Sequence, residues 1–298
     1  MSHAKVLGRL LALMLAIGWG ASAHSQRIEL AQTLDFKWQA LTVATMQFDV
    51  SLLVTESEAD SGASEGPPSR IRIIGETKGP LRWIQDYQAT VEYSTSRNKR
   101  QGSVFALEGL DGGEPEQRRI LFVPGKPPKI EIFNDSTASQ PLELKEEWLG
   151  QAENPLSAFA AVLQAAIRGR SCVNSIWGFD GKRRYQLEAK DLPVDEWVES
   201  APVAEPELSA EAEWKAVEQY QCSLTLYARG RDTAGSNEES ERPRWRSRFA
   251  SLWPFSDTDR ELIFSFDVYR SNSGHVHKIA FNRIVIPTGI GAIVAQSR

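Results

Sequence analysis

The sequence predicts a mainly β protein, built as a single antiparallel curved sheet or incomplete β-barrel with one packed helix. Three observations lead to this fold class. Apolar residues alternate with polar residues at a period of two, most regularly over residues 46–54, as in a strand with one buried face. Similar runs recur between clusters of Gly, Pro and Asp, as all-β chains require. A convincing helical period occurs in one segment, near residue 154.

The alternating runs define the predicted strands. Each run has the length of a strand and is bounded by turn-forming residues. The predicted strands cover residues 36–38, 46–54, 71–74, 81–91, 103–107, 119–123, 130–133, 182–189, 221–227, 262–269, 277–286 and 290–295.

The helix is predicted over residues 154–168. Asn154 is a favourable N-cap, and Pro155 suits the first helical position. Gly169 marks the end. One face of this helix is apolar and consists of Leu156, Phe159, Leu163 and Ile167. We expect this face to lie over one side or mouth of the sheet. A second, weaker helical pattern covers residues 208–217.

Residues 1–23 have the three parts of a cleavable signal peptide. Lys5 and Arg9 give a positive start, residues 10–19 are apolar, and Ala21-Ser22-Ala23 supplies small residues for cleavage. The alternative is an uncleaved membrane anchor, but the apolar run is shorter than the ~20 residues that cross a bilayer. We therefore predict export to the periplasm with cleavage near Ala23. No later segment is apolar for long enough to span, so a mature chain without a transmembrane segment is expected.

The mature chain, residues 24–298, is expected to fold as a single β-rich domain with three solvated insertions. Residues 56–68, 193–213 and 230–242 are polar or charged, and such segments bury too little surface to offset their ordering entropy. Loss of the leader removes two basic residues and no acid, leaving 32 basic against 39 acidic residues. That negative balance argues against nucleic-acid binding.

Cys172 and Cys222 are the two cysteines of the chain, and in an oxidising compartment an even number favours a disulfide. Such a bond would close a loop of about 50 residues and stabilise the fold by roughly 4 kcal/mol. The alternative is two unrelated buried thiols. Two cysteines without nearby histidines cannot complete a zinc site.

A charged turn lies between the cysteines. Phe179-Asp180-Gly181-Lys182 is typical of a tight turn between two strands. If Tyr185 faces inward, Arg183 enters the same interior and needs a carboxylate, which Asp180 could supply. Two interpretations remain open. One is a charged hairpin packed by aromatic residues, which we favour. The other is an anion-binding or ligand-binding site formed by Asp180, Lys182, Arg183, Arg184 and Tyr185.

The same region resembles a family of exported bacterial proteins, the domain of unknown function 3108. The resemblance rests on Cys172, on residues 179–187 and on Cys222, with weaker similarity at 36–44, 79–83 and 283–289. Gln186 stands where the family's pattern has an acid. The resemblance implies a mostly antiparallel β domain of the cell envelope and no established reaction.

Residues 242–255 combine arginines with aromatic side chains. This segment could lie on an anionic membrane, stack on a glycan or nucleic acid, or bind an envelope protein. The interpretation we favour is a loop whose aromatic residues dock on the β core. The candidate surface or partner-binding residues are Arg244, Trp245, Arg246, Arg248, Phe249 and Trp253.

No catalytic motif accompanies these features. The sequence lacks a Gly-x-Ser-x-Gly elbow, a phosphate loop and a zinc-peptidase helix. His275 and His277 form an H-x-H pair that we interpret as a solvated hairpin end, so no metal or cofactor is predicted. We predict a non-enzymatic protein that binds or carries a hydrophobic or lipid-like ligand or serves envelope assembly. The alternatives are a glycan hydrolase with paired carboxylates and an interaction module acting through residues 242–255.

Overall fold

The computed structural model describes residues 25–55, 69–84, 86–95, 102–135, 140–144, 153–169, 171–193, 214–229, 260–271, 275–288 and 291–297. Within these ranges the chain forms thirteen strands and two helices. The helices are α1 (Leu81–Ile84) and α2 (Pro155–Gly169). The strands are β1 (Ser25–Trp38), β2 (Leu41–Thr55), β3 (Arg70–Thr77), β4 (Tyr87–Thr95), β5 (Ser103–Asp111), β6 (Glu114–Phe122), β7 (Lys129–Asn134), β8 (Asn174–Phe179), β9 (Arg184–Asp191), β10 (Trp214–Arg229), β11 (Arg260–Ser271), β12 (Val276–Thr288) and β13 (Gly291–Ser297).

All thirteen strands belong to one sheet, in the order β7-β6-β5-β4-β3-β2-β1-β13-β12-β11-β10-β9-β8. Neighbours in this order run antiparallel, and β1 also makes a short parallel contact in which Glu29 lies opposite Lys278 of β12. The first strand therefore lies in the middle of the sheet, and β7 and β8 form its two edges. Within the described ranges no ladder joins these edges, so the sheet is not closed. The predicted fold class is confirmed.

The antiparallel arrangement gives the sheet two ends, which carry different connections. We call the upper rim the end that carries the β1–β2 hairpin, α1, the β5–β6 hairpin and the β8–β9 turn. The lower rim is the opposite end, where residues 171–173 link α2 to β8. The candidate site described below lies toward the upper rim.

One face of the sheet forms an aromatic core. Burial alternates along β3 at a period of two, as the sequence predicts. On β11, Phe264 and Phe266 face this core, and the ring of Phe281 lies 6.2 Å and 6.1 Å from theirs, centroid to centroid. All three side chains are almost fully buried. Since each aromatic ring buries a large area, such clusters supply much of the hydrophobic stabilisation of a core.

Helix α2 lies against this inner face and is held at both ends. The Asn154 side-chain oxygen accepts a hydrogen bond from the backbone N–H of Leu156 at 2.8 Å, which is the N-cap expected from the sequence. At the other end, the Arg270 guanidinium donates to the carbonyl of Ile167 at 2.7 Å. A cation at this position complements the partial negative charge of a helix C-terminus. The predicted helix is confirmed.

Two local predictions were wrong. The single strand predicted over residues 81–91 is instead the short helix α1 followed by β4, because Gly79 takes a φ of +55° and the chain turns before Leu81. The weak helix predicted over residues 208–217 is wrong for residues 214–217, which belong to β10. There Val217 pairs with Tyr269 of β11, a partner that no local pattern reveals.

Several predicted features lie outside the described residues. They are the leader at residues 1–23, the insertions at 56–68 and 230–242, and nearly all of the insertion at 193–213. In the part of the chain that the structure does describe, no helix has the length and apolar character needed to cross a membrane.

The predicted disulfide between Cys172 and Cys222 is present, with Cα atoms 6.0 Å apart. It ties the link that follows α2 to the middle of β10. The backbone N–H of Cys172 also donates to a carboxylate oxygen of Asp191 at 2.6 Å. The bond therefore fixes the lower end of α2 against the sheet.

Replacing both cysteines, as in Cys172→Ser with Cys222→Ser, is expected to lower the free energy of unfolding by roughly 4 kcal/mol, because the bond closes a loop of about 50 residues in the unfolded chain. Urea denaturation measures the change. Wild-type protein treated with a reducing agent is the matched control and should show a similar loss. Equal urea midpoints for all three samples would contradict this role.

Candidate functional site

An apolar cavity lies between α2 and the inner face of the sheet. Its volume is about 70 Å³, and it is partly open. Strands from both halves of the sheet contribute to its wall, together with two residues of α2. The lining side chains are all apolar: Phe36, Met46, Phe48, Ile73, Leu156, Phe159, Leu187, Leu224, Leu226, Leu262, Phe264, Phe281, Ile284 and Ile286.

Phe159 occupies a distinctive position in this wall. It lies on the apolar face of α2, one turn from the buried residues Leu156 and Leu163, yet its own side chain is only half-buried. Its ring centroid lies 6.1 Å from those of Phe264 and Phe281. Met46 and Leu262 are half-buried in the same wall. These three side chains pack against the core on one side and remain partly exposed on the other.

The cavity has the chemistry of a dry binding site. A cavity of about 150 Å³ lined by Leu, Ile and Phe excludes water and accepts benzene or xenon. The present cavity is about half that size, so in this conformation it accommodates a short stretch of alkyl chain. A longer chain requires movement of half-buried side chains such as Phe159. The lining offers no acid, base or nucleophile.

A second feature, the charged seam, lies where the two edges of the sheet meet. It consists of Glu116 and Arg118 on β6, Asp135 after β7, and Asp180 and Lys182 in the β8–β9 turn. One Arg118 nitrogen lies 3.2 Å from an Asp180 carboxylate oxygen, and another contacts Glu116 and Asp135. The Lys182 ammonium lies 3.1 Å from Asp135. All five side chains are at least nine-tenths buried. Edges that are twelve strand positions apart touch here, so the sheet must curve back on itself.

The β8–β9 turn has the geometry needed to reach the other edge. One Asp180 carboxylate oxygen accepts hydrogen bonds from the backbone N–H groups of Lys182 and Arg183, at 2.9 Å and 2.7 Å. Gly181 takes a φ of +89°, and a Cβ there would lie 3.0 Å from the Cδ1 atom of Ile120 on β6. Its carbonyl accepts a hydrogen bond from Leu142 at 2.8 Å. The absence of a side chain at Gly181 thus allows the β8–β9 turn to lie close to Ile120 of β6.

The seam holds three carboxylates against two cations. Burial raises the pKa of Glu116 to about 7, an effect that Arg118 opposes and the neighbouring Asp135 reinforces. Burial also raises the pKa of Tyr185 well above its ordinary value, and the charge of Asp180 adds to this effect. At neutral pH Glu116 therefore binds a proton in a substantial fraction of the molecules.

The structure brings together only some of the predicted site residues. Asp180 and Lys182 belong to the seam, where the Arg118 guanidinium pairs with Asp180. The Arg184 guanidinium stacks on the Trp177 ring at 3.8 Å, on the opposite face of β9 from Tyr185. Asp180 also accepts a hydrogen bond from the backbone N–H of Arg183. An anion site in this turn stays a prediction. The candidate partner-binding residues between 244 and 253 lie outside the described ranges.

Sequence reasoning missed Glu116, Arg118 and Asp135. One signal was available, because Arg118 is in phase with Ile120 and Phe122, which alternation places on the inner face. A basic residue at such a position requires buried carboxylates. Glu116 lies two residues away on the same strand, but the other two partners, Asp135 and Asp180, are 17 and 62 residues away. Local patterns do not reveal such partners.

No family model matches this chain, and neither does any curated protein. Among solved structures, it is similar to the crystal structure of a β-barrel-like protein of domain of unknown function DUF1849 from Brucella abortus. The likeness covers 93% of this chain and 98% of that chain, at 9% identity and a TM-score of 0.42. This identity and TM-score are too low to assign a family or a function to this chain. Membership in the family of domain of unknown function 3108 stays a prediction.

Asp180→Ala is expected to lower the free energy of unfolding by about 3–5 kcal/mol, because it leaves the Arg118 charge buried with one partner fewer. It also removes two hydrogen bonds from the turn. Asp86→Ala, which breaks an exposed ion pair with Arg82, is the matched control and should cost less than about 1 kcal/mol. Denaturant unfolding of both variants measures the difference, and similar losses would argue against a structural role for the seam.

Glu116→Gln tests the electrostatics of the seam. The pKa of Glu116 is higher in the folded protein than its ordinary value of 4.5, so the folded state binds the proton more tightly. The stability of the wild type should therefore fall as the pH rises from about 4.5 to about 7, by up to roughly 3 kcal/mol from this group.

Glutamine does not titrate, so the variant should show a flatter dependence of unfolding free energy on pH over that window. Glu114→Gln, at an exposed position on the same strand, is the control. Parallel pH profiles for wild type and Glu116→Gln would contradict the assignment.

Proposed function

We propose that this protein binds or carries a lipid-like molecule, without catalysing a reaction, by accepting part of its apolar chain in the cavity. The observation that supports this function is the uniformly apolar lining between α2 and the sheet. Ligand sites are usually concave and largely preformed, and their chemistry reflects that of the ligand. A lining without polar groups fits a hydrocarbon chain and fits no polar substrate.

The size of the cavity limits how the ligand binds. About 70 Å³ holds a few methylene groups, so the remainder of a chain would enter only if half-buried side chains moved. Phe159, Met46 and Leu262 are the side chains placed to do this. Methionine is unbranched and adapts readily to different neighbours. We expect α2 to act as the adjustable side of the site, with the β-sheet as the rigid side.

Export to the periplasm is part of this proposal. The leader at residues 1–23 motivates it, and the disulfide between Cys172 and Cys222 supports it, because such bonds persist mainly in oxidising compartments. A carrier between membranes, or a component of envelope assembly, is the role that matches this location.

The hydrolase alternative has less support. Three acids on predicted strands and turns make contacts typical of structural residues: Asp35 accepts from Thr45, Glu92 pairs with Arg70, and Asp180 pairs with Arg118. The carboxylates that do lie close together, in the seam, are buried under Arg118, and a polysaccharide would not reach them. The interaction-module alternative rests on residues 242–255 and stays a prediction.

Leu262→Trp tests the cavity directly. Leu262 is half-buried in the wall, so the larger side chain is expected to fill the void without unfolding the protein. Binding of N-phenyl-1-naphthylamine and of a long-chain fatty acid, followed by fluorescence and displacement, should weaken at least about tenfold, because removing cavity volume removes apolar contact. Leu144→Trp, at a half-buried position outside the cavity, is the control and should bind as the wild type does.

Native mass spectrometry of the protein recovered from its own cell envelope provides the independent check. Co-purified lipid would support the proposal. Failure of the wild type to bind either probe, together with an empty chain in every preparation, would overturn it.

A further inference from the structure

Exposed apolar side chains are concentrated at the upper rim. Among the described residues, five large apolar side chains are exposed. Leu41 begins β2 beside the β1–β2 hairpin, Trp83 lies on α1, and Leu110 lies beside the β5–β6 hairpin. The lower rim carries Val173, and Ile132 lies on the edge strand β7. Single exposed apolar residues are ordinary. The feature that distinguishes this rim is Trp83, a large aromatic side chain that is almost fully exposed.

Trp83 is the most exposed of them, at 91% of its accessible surface. The turn that carries it is well anchored. Lys78 donates its backbone N–H to Val43 at 2.8 Å, and Leu81 is buried beneath α1. The Arg82–Asp86 ion pair, at 2.8 Å, links α1 to the chain before β4. An indole on a fixed turn and directed into solvent loses hydrophobic free energy that a partner surface would recover.

The three residues lie at or next to separate connections along one rim: Leu41 and Leu110 at strand ends and Trp83 on α1. The connections lie two strand positions apart in the sheet order, so about 10 Å separates each from the next. A lipid bilayer deforms around separate apolar side chains, so it can contact all three more easily than a single preformed protein pocket can.

Two ion pairs lie near Trp83 in the described part of this rim. Lys78 pairs with Glu76, and Arg82 pairs with Asp86, so these basic groups are neutralised by acids. The described surface around Trp83 therefore has little electrostatic preference for an anionic membrane. Tryptophan is enriched where proteins meet the interface of a bilayer, because its ring is apolar and its N–H finds a polar partner.

The cavity approaches the same rim. Phe36 lies two residues before the end of β1, Ile286 two residues before the end of β12, and Leu226 three residues before the end of β10. At about 3.3 Å per residue, these side chains lie within about 10 Å of the upper rim. An apolar chain that enters at this end reaches the cavity by the shortest path.

We propose that the upper rim inserts Trp83, Leu41 and Leu110 into the interface of a lipid bilayer, and that the ligand passes between membrane and cavity at this end. The passage of ligand rests on the proposed function, whereas the docking itself does not. Because the driving force is apolar insertion, binding requires no anionic lipid and changes little with salt.

Sedimentation of the full exported chain with phosphatidylcholine vesicles tests the inference. Trp83→Ala is expected to reduce partitioning on the order of tenfold or more, since the indole supplies the largest inserted area. Val173→Ala removes an exposed apolar side chain from the lower rim and is the matched control, with partitioning expected to equal that of the wild type. Raising the NaCl concentration from about 0.05 M to about 0.5 M shortens the Debye length roughly threefold, and wild-type partitioning should stay nearly unchanged.

Three outcomes would overturn the inference: no vesicle binding by the wild type, equal losses for the two variants, or binding that disappears at high salt. Because Trp83 does not line the cavity, Trp83→Ala should bind N-phenyl-1-naphthylamine normally. If the wild type binds N-phenyl-1-naphthylamine but not vesicles, membrane docking is wrong and the proposed function is unaffected. If the wild type binds vesicles but not N-phenyl-1-naphthylamine, membrane docking is supported and the proposed function is wrong.

Discussion

The ion pair between Arg118 and Asp180 is the interaction on which the architecture depends. It joins the two edges of a thirteen-stranded sheet that no backbone ladder closes among the described residues. An open edge is a site of unwanted pairing, and proteins cover such edges or block them. Here side chains and one glycine turn bring the edges together. Burying charges is costly, and the cost is offset because Glu116, Asp135 and Lys182 complete the network.

The curvature imposed at the seam creates an interior, and α2 occupies part of it. The helix is fixed at its start by Asn154 and at its end by Arg270, while the disulfide anchors the link that follows. The cavity lies under the first turns of α2, where Leu156 and Phe159 contribute to its wall. The helix does not fill all of the space between itself and the sheet.

The interior is therefore divided into two chemical environments. The seam is ionic and lies between β6, β7 and the β8–β9 turn. The cavity is apolar and is lined by residues of β1 to β3 and of β9 to β12. Because the two are separate, the charged seam can hold the edges of the sheet together without placing charges in the cavity. It also explains why the charged turn, the most distinctive stretch of the sequence, stabilises the fold while less distinctive Leu, Ile and Phe positions form the candidate site.

The sequence by itself determined the features that depend on local pattern. Period-two alternation identified most strands, Asn154-Pro155 identified the start of α2, and the cysteine count identified the disulfide. Strand β8 was not predicted, because Asn174, Ser175 and Gly178 interrupt its apolar pattern. Tertiary structure alone decided the partner of Asp180, the strand conformation of residues 214–217 and the existence of the cavity. These depend on contacts between segments far apart in the chain, and the free energy of such contacts is not encoded in any short stretch of residues.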